Sequence, residues 1–342
     1  MSQIEKPAGK ILLSHGSGGG MSHELISQLV LPAFDNPELN RLADAARLDF
    51  GDNKVAFTTD AYVVDPLFFP GGDIGALAVN GTVNDLAVSG AEPLWLSVSL
   101  IIEEGLPIEI LKRVLLSMQK AATEANVTIV TGDTKVVQRG KADKLFVITS
   151  GIGRVFPEIE LGVERITAGD KVLLSGTLGD HGVAVLLARQ AFSMSGKVES
   201  DTAPLHMMTK DMLLAGGGAI KVMRDPTRGG LASTLNEFVG GLPVGVAIDE
   251  NAILVKPDVR AACDLLGFDP LHIANEGKLV AVVSADRAEK VLSVMQSHPI
   301  GKNAAIIGEV VSDRPGTVVA RTALGTFRFV TLPMGELLPR IC

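Results

Sequence analysis

The sequence has no long apolar runs and little cysteine. No apolar stretch approaches the roughly 20 residues that a helix needs to cross a bilayer, so we expect no membrane span. The first residues, MSQIEKPAGKILLSHG, have no long apolar core, so we expect no signal peptide. Two cysteines cannot form a disulfide framework, which predicts a reduced, cytosolic protein.

Positive charge and aromatic side chains are also scarce. With 31 basic and 39 acidic residues the net charge is −8, which argues against nonspecific nucleic-acid binding. Aromatic residues make up 4% of the chain, too few for base-stacking platforms or sugar sites. The 342 residues are 46% hydrophobic and only 20% charged, which predicts a folded chain over most of its length.

Strand and helix patterns alternate in two series, which predicts two domains. The first series has strands at 54–59, 94–102, 127–130 and 145–149 and a helix at 107–124. The second has strands at 171–176, 244–249, 278–284 and 304–310 and helices near 182–191, 230–239, 258–266 and 286–297. The predicted organisation is a glycine-rich segment 1–40, a first domain 41–155, a second domain 156–330 and a tail 331–342.

A glycine-rich stretch, HGSGGG at 15–20, precedes a predicted helix with the sequence MSHELISQLV. Glycines let backbone N–H groups approach a phosphate, and a helix N-terminus adds positive potential. The stretch is not a Walker A loop, because no Gly-Lys-Ser/Thr follows, nor a dinucleotide fingerprint, because no long strand precedes it. A phosphate-binding loop and a plain flexible loop both fit it.

Four aspartates occupy turn-like contexts at the ends of predicted strands. They are Asp52, Asp60, Asp85 and Asp133, each near glycine, asparagine or threonine. Magnesium prefers hard oxygen ligands, usually one or two carboxylates with phosphate oxygens and water. As a set the aspartates fit Mg²⁺ ions that bridge nucleotide phosphates, whereas each one alone fits a helix or turn cap.

Three further motifs place charged groups at turns. Lys135, in TGDTK, fits a phosphoryl contact or proton relay, or else a solvated loop lysine. Asp225, in RDPTRGG, fits an anion site or metal ligand at a helix start, or else a helix cap. Glu276, in ANEGK, would serve as a general base if its surroundings raise its pKa toward neutrality, and otherwise lies in an exposed turn. His181 and His272 lie in loops near these candidates.

Cys342 follows the segment TLPMGELLPRI, which has two prolines and no clear period. We expect this tail to be extended and mobile, with a reach of at most about 35 Å. A thiol at its tip suits a swinging carrier arm, whereas an accidental cysteine would be an oxidation liability. An ordinary thiol pKa of about 8.5 leaves a small thiolate fraction at neutral pH. Arg340 should lower that pKa and the terminal carboxylate should raise it.

In order along the chain, these motifs resemble the HypE family of hydrogenase maturation factors. That family belongs to the superfamily of aminoimidazole ribonucleotide synthetase, selenophosphate synthetase and thiamine-monophosphate kinase. The strings that carry the resemblance are HGSGGG, FTTDAYVVDPLFFPGG, NGTVNDLAVSGAEP, TGDTKVVQRG, SGTLGDHG, DPTRGGLA, ANEGKL and PRIC. They run over nearly the whole chain, and the PRIC ending separates this family from the other superfamily members.

The resemblance implies a two-domain α+β fold of the aminoimidazole ribonucleotide synthetase type. It also implies a homodimer built through the first domains, and ATP with Mg²⁺ bound between the domains. The implied nucleotide-binding residues are Gly16, Ser17, Gly18, Gly19, Asp60, Asn84, Asp85, Thr131, Gly132, Asp133, Thr134 and Asp225. The implied metal ligands are Asp52, Asp60, Asp85, Asp133 and Asp225. Many superfamily members have two adjacent acids where this chain has Asp52-Asn53, so the number of metal ions stays open.

The resemblance also implies a reaction at Cys342. A HypF-type carbamoyltransferase loads the thiol, ATP drives dehydration of the S-carboxamide to an S-thiocyanate, and the cyano group passes to iron in a HypC–HypD complex. Phosphorylation makes the amide oxygen a leaving group, and removal of the N–H proton then forms the nitrile. Lys135 and Glu276 are the hypothesised proton-handling pair, with His181 or His272 as substitutes. A kinase of a free small molecule and a non-catalytic carrier are the competing hypotheses.

Overall fold

The computed structural model describes residues 11–12, 15, 19–34, 36–51, 53–189, 198–333, 338 and 340–342. The chain forms two units, each built on its own sheet. No helix in these residues is long and apolar enough to cross a membrane.

The first unit is a sheet with helices on one face. Its strands are β1 (Ala46–Phe50), β2 (Asn53–Tyr62), β3 (Phe68–Phe69), β4 (Gly72–Asp73), β5 (Ala91–Glu103), β6 (Thr128–Val137) and β7 (Leu145–Val155). Strands β3 and β4 form a short ribbon, and the other five form a sheet in the order β1-β2-β7-β5-β6. Its helices are α1 (Gly20–Leu25), α2 (Leu31–Phe34), α3 (Ile74–Val88) and α4 (Ile108–Glu124), with a wider helical turn at Ile26–Val30 between the first two. Only the β5–β6 pair in this sheet is parallel.

The second unit is a seven-stranded sheet with helices on both faces. Its strands are β8 (Lys171–Leu174), β9 (Ile220–Arg224), β10 (Gly245–Asp249), β11 (Val280–Val283), β12 (Ala305–Val311), β13 (Val318–Arg321) and β14 (Phe327–Phe329). They lie in the order β14-β13-β10-β12-β8-β11-β9. Its helices are α5 (Asp180–Ala188), α6 (His206–Gly216), α7 (Gly230–Val239), α8 (Pro257–Leu266) and α9 (Ala285–Ser297). One core surrounds Phe238 of α7, and another joins Met208 of α6 to Met295 of α9.

Amphipathic elements follow the sequence prediction closely. The helix expected at 107–124 is α4, which begins after Pro107 and buries Val114 and Met118. Helix α3 contradicts the prediction, because the stretch around Asp85 was expected to be the end of a strand. Almost all of α3 is buried, so its sequence lacks the polar stripe that marks a surface helix.

Strand β6 also differs from its prediction. It was expected to end at Val130, but it continues to Val137, so Asp133 lies inside a strand and not in a turn. Gly132 is required there, because a Cβ atom would lie 2.2 Å from the carbonyl oxygen of Val98 on the neighbouring strand.

Buried polar contacts join the two units. Asn84 of α3 donates through Nδ2 to the carbonyl oxygens of Ala203 and Glu276, both at 3.1 Å. Its Oδ1 accepts from the backbone N–H of Leu205 at 2.8 Å. Asn84 was predicted to bind nucleotide, yet its amide here connects α3 to two segments of the second unit. These bonds fix the walls of the cleft between the units.

Candidate active site

Acidic side chains from both units converge in the cleft. Asp60 lies on β2 and Asp85 on α3, whereas Asp225 follows β9 of the second unit. They line a cavity of about 450 Å³ together with Arg228. Ser22, in the helix that follows the glycine-rich stretch, lines the same cavity. The fold thus brings together three of the aspartates predicted to bind nucleotide or metal.

Burial and like charge disfavour ionisation of Asp85 and Asp225. The pKa of Asp85 is raised well above its usual value, first by burial and then by Asp60 and Asp225. A hydrogen bond from Thr58 Oγ1 to Asp85 Oδ2, at 2.8 Å, opposes that rise only in part. The pKa of Asp225 is likewise raised, first by burial and then by Asp44 and Asp60. A bound cation would relieve this repulsion.

Asp44 is an acidic member of the cluster that sequence reasoning missed. It lies just before β1, and its carbonyl oxygen lies 2.8 Å from Thr58 Oγ1, which shares its one proton between this oxygen and Asp85. Its carboxylate lies 2.9 Å from Nε of Arg224, an ion pair between the two units. Burial raises the pKa of Asp44 to about 6, although Arg224 pulls it down. Local sequence gave no signal for Asp44, because its place in the cluster depends on the contact with Arg224 across the units.

The donor set fits magnesium with a nucleotide better than a closed metal cage. Within the described residues, no three His, Cys, Asp or Glu side chains are arranged to hold a metal ion by themselves. Mg²⁺ commonly takes only one or two carboxylates and completes its shell with phosphate oxygens and water. Asp60, Asp85 and Asp225 are the residues that would hold it. Asp52, the remaining predicted ligand of this group, lies outside the described residues.

Glu276 lies in the wall of the cleft and not in an exposed turn. Its side chain is 2% exposed, and its Oε1 has no hydrogen-bond partner among the residues that the structure describes. Burial first, and then Asp225 and Asp201, raise the pKa of Glu276 well above its usual value, while Arg228 opposes the rise. The environment therefore shifts this carboxyl in the direction that a general base at neutral pH requires.

Asn275 explains how Glu276 is held in place. Its Oδ1 accepts from the backbone N–H of Gly179 at 2.8 Å, and its Nδ2 donates to the carbonyl oxygens of Pro226 and Ile273. One asparagine therefore ties the Glu276 segment to the turn that carries Asp225.

The thiol of Cys342 lies in the cleft of its own chain. Burial raises its pKa to about 12; Arg228 opposes the rise, and Glu276 and Asp60 add to it. The expectation of an ordinary thiol pKa lowered by Arg340 is therefore wrong for this state. Arg340 forms an ion pair with Asp143 instead. The docked thiol is protonated at neutral pH.

The last residues of the tail are anchored in this structure. The backbone N–H of Val63 donates to the carbonyl oxygen of Cys342 at 3.0 Å, and that of Asp65 donates to Arg340 at 3.3 Å. Ile341 is 4% exposed and packs in the core of the first unit. Residues 340–342 are bound to the first unit in this structure. Movement of the tail away from the cleft stays a prediction.

The β6 residues are not in the cleft of their own chain. Strand β6 is exposed from Thr128 to Val136, and Lys135 Nζ lies 2.7 Å from Asp133 Oδ2. The hydrogen bond from Lys135 lowers the pKa of Asp133 the most, and a hydrogen bond from the backbone N–H of Thr134 lowers it further. The predicted binding residues Thr131, Gly132 and Thr134 share the strand, so the hypothesised Lys135–Glu276 pair is not formed within one chain.

The other predicted residues have varied positions. Gly16, Ser17 and Gly18 lie outside the described residues, whereas Gly19 immediately precedes α1 and contacts Pro333. His272 donates through Nε2 to the carbonyl oxygen of Thr331 at 3.0 Å, because a carbonyl oxygen can only accept. His272 thus binds the start of the tail.

The two sheets with an acidic cleft between them define an AIR synthase related protein. The N-terminal domain of that family, described as AIR synthase related protein, matches residues 42–155. Its C-terminal domain matches residues 167–321.

Individual relatives show which family within this class the chain resembles. The carbamoyl dehydratase HypE of Bradyrhizobium diazoefficiens is 53% identical over 334 residues, covering 98% of this chain and 96% of the relative. HypE solved in complex with ATP is 50% identical with a TM-score of 0.81, covering 97% of this chain and 100% of that one. HypE from a HypE–HypF complex is 49% identical with a TM-score of 0.86, and the match covers 90% of this chain and 99% of that chain. The chain belongs to the HypE family.

Proposed function

We propose that this chain is an ATP-dependent carbamoyl dehydratase that acts on its own Cys342 in hydrogenase maturation. The observation that carries the proposal is the position of the Cys342 thiol, whose pKa is influenced by Arg228, Glu276 and Asp60. Two of these, Arg228 and Asp60, line the acidic cavity. A carrier without catalysis gives no reason to hold the cargo thiol near Glu276, whose Oε1 has no hydrogen-bond partner in the described part of the chain. A kinase of a free small molecule gives no reason for the tail to occupy the cleft.

The reaction converts the S-carboxamide and ATP into S-thiocyanate, ADP, phosphate and one proton. The amide oxygen attacks the γ-phosphorus and ADP leaves; the nitrogen then loses its two protons as the C–O bond breaks and phosphate departs. The need is therefore for cations at the transferring phosphoryl group and a proton acceptor at the nitrogen.

The residues of the cleft meet these needs. Arg228 is a cation that acts on the reactive end of the tail, since Cys342 is the largest influence on its pKa and it opposes the rise in the pKa of Cys342. Glu276 is the proton acceptor that we assign, because its Oε1 is buried without a partner among the described residues. Mg²⁺, held by Asp60, Asp85 and Asp225, would neutralise phosphate charge.

We also propose a homodimer built through the open face of the first sheet. Phe57, Ile152 and Trp95 are register neighbours on β2, β7 and β5, and they are 43%, 38% and 49% exposed. An apolar row across a sheet marks a surface that a partner covers. Pairing there would place β6, with Asp133 and Lys135, at the interface and within reach of a second copy's cleft.

Two partner classes follow from the proposed chemistry. A HypF-type carbamoyltransferase must load the thiol, and a solved complex of HypE with HypF supports this assignment. The cyano group must then reach iron, for which a HypC–HypD complex is the proposed acceptor. Both transfers require a reduced thiol, in agreement with the predicted cytosolic location.

The test is the mass of the C-terminal peptide after loading by a HypF-type carbamoyltransferase. We expect a carbamoyl adduct on Cys342 that loses one water only when ATP is consumed. An adduct that persists with MgATP would favour the carrier. The absence of any adduct, with an active transferase, would favour the kinase of a free small molecule.

A further inference from the structure

Helix α5 of the second unit binds the backbone of the tail through two side chains. His181, in the first turn of α5, places Nε2 2.8 Å from the carbonyl oxygen of Ile341. Arg189, directly after α5, places Nη2 2.7 Å from the carbonyl oxygen of Arg340. Carbonyl oxygens only accept hydrogen bonds, so both side chains donate. The second unit therefore contacts the tail one and two residues before the reactive thiol.

Both ring nitrogens of His181 form hydrogen bonds with neighbouring residues. Because Nε2 donates to the tail, Nδ1 of the neutral ring accepts from Ser200 Oγ, at 2.8 Å. The side chain is completely buried, and the ring of Phe69 packs against it edge-on at a centroid distance of 5.4 Å. Burial lowers the pKa of His181, which keeps the ring neutral. Neither nitrogen is left to exchange a proton with a substrate.

We propose that His181 is a positioning residue for the dehydration and takes no part in proton transfer. It holds the backbone at Ile341 so that the group on Cys342 lies beside Glu276. Val63 of the first unit binds the carbonyl oxygen of Cys342, so the tail is fixed from both sides of the cleft. This inference rests on the proposed function and replaces the hypothesis that His181 substitutes for the general base.

Two substitutions separate the tail contact from the rest of the site. In His181→Asn the side-chain amide occupies the place of Nδ1 and keeps the contact with Ser200, but it is too short to reach Ile341. His181→Gln extends an N–H donor toward the place of Nε2 and keeps the tail contact. His298→Asn is the matched control, because His298 Nε2 donates to Asp211 Oδ2 at 3.0 Å, a contact without a tail residue.

The first readout is the alkylation rate of Cys342 in the full-length protein without ATP, followed by peptide mass. Cys263 is an internal control, since it is completely buried in α8 and reacts only on unfolding. We expect His181→Asn to be alkylated at Cys342 about tenfold faster than wild type, the effect of one lost buried hydrogen bond. His181→Gln and His298→Asn should stay near the wild-type rate, with Cys263 protected throughout.

The second readout is the single-turnover loss of water from carbamoylated Cys342 with MgATP. We expect His181→Asn to slow it about tenfold, and His181→Gln to restore most of the rate. A slow His181→Gln variant whose thiol is still protected would overturn the proposal, because His181 would then act in the chemistry. Wild-type protection and rate in His181→Asn would overturn it as well.

The two readouts also distinguish a misfolded variant from a failure of the proposed function. If His181→Asn exposes Cys263, His181→Met replaces it as the variant without a donor, judged by the same two rates. If the wild-type adduct never loses water, the proposed function fails, while the alkylation rates still decide whether His181 holds the tail.

Discussion

The cleft and strand β6 hold the same kinds of side chain in opposite settings. In the cleft, Asp85 and Asp225 are buried among other acids, and their pKa values are raised. On β6, Asp133 is exposed beside Lys135, and its pKa is lowered. The buried acids carry an electrostatic cost that a bound cation would offset, whereas the exposed pair is satisfied by itself.

This difference separates two roles that the sequence motifs alone do not distinguish. The buried acids of the cleft are the group for which we propose a binding site within one chain. A self-paired Asp133 and Lys135 on an open strand form half of a site, which a second copy would complete under the proposed dimer. The predictions below test this division between a cleft in one chain and a contribution from its partner.

The largest expected effect is on the chemistry of the cleft. Glu276→Gln should slow dehydration of the carbamoylated thiol at least about 100-fold, because the amide cannot accept the proton. The measurement is single-turnover mass spectrometry of the C-terminal peptide, with ATP binding as a control that should not change. Full dehydratase activity in this variant would show that Glu276 is not the base.

A mixing experiment tests whether β6 acts in the partner's cleft. Lys135→Met and Glu276→Gln should each be nearly inactive alone. Mixed and re-equilibrated, they should recover about a quarter of wild-type activity, because half of the dimers are mixed and each of these has one complete site. No recovery, with mixed dimers shown to be present, would place Lys135 and Glu276 in the same chain's site or exclude Lys135 from the reaction.

The open sheet face can be tested by charge insertion. Trp95→Glu should halve the mass of the particle in sedimentation, because a carboxylate would be buried at the centre of the proposed interface. Phe327→Glu is the matched control, an exposed aromatic residue on the second sheet that should leave the mass unchanged. A Trp95→Glu protein of unchanged mass would contradict the proposed dimer face.

A smaller effect is expected on stability without magnesium. Asp85 has a raised pKa in the folded state, so the folded protein binds more protons than the unfolded chain above pH 3.8, the usual value. Stability should therefore fall as pH rises from that value toward the raised pKa. Asp85→Asn should reduce this slope, because Asp44, Asp225 and Glu276 also have raised pKa values and keep the remainder, and it should raise the free energy of unfolding at pH 7. An unchanged slope in urea titrations would contradict the buried repulsion.

The smallest effect is expected at the exposed pair. Asp133→Asn should leave the urea midpoint and its pH dependence unchanged, because an exposed ion pair contributes little to stability. The same urea titrations provide the comparison with Asp85→Asn. A change as large as that of Asp85→Asn would mean that Asp133 is not exposed in solution.

Elements with a polar and an apolar face could be predicted from sequence. Helix α4 follows its amphipathic pattern almost to the residue. Helix α3 could not be recognised in this way, because burial on nearly every side removes the periodic signal. That failure matters for the site, since α3 carries Asp85 and Asn84.

Sequence motifs predicted which residues of the candidate site carry chemistry, but not how all of them are placed relative to one another. Asp60, Asp225, Glu276 and Cys342 were singled out by residue type and motif, and the fold brings them to one cleft. Asp133 and Lys135 lie on the exposed edge strand β6, and local sequence does not encode the contribution to a second copy that we propose for them. Asp44 was missed because its importance arises only from its contact with Arg224 across the units.

The central claim is that the carbamoyl group carried by the Cys342 sulfur is dehydrated to a thiocyanate as ATP is converted to ADP and phosphate. Infrared spectroscopy of the carbamoylated protein tests it most directly, because a C≡N stretch lies where proteins absorb little. We expect the band to appear on addition of MgATP, to shift with a ¹³C-labelled carbamoyl group, and to be absent in Cys342→Ser. ATP consumption by the carbamoylated protein without a nitrile band would contradict the account.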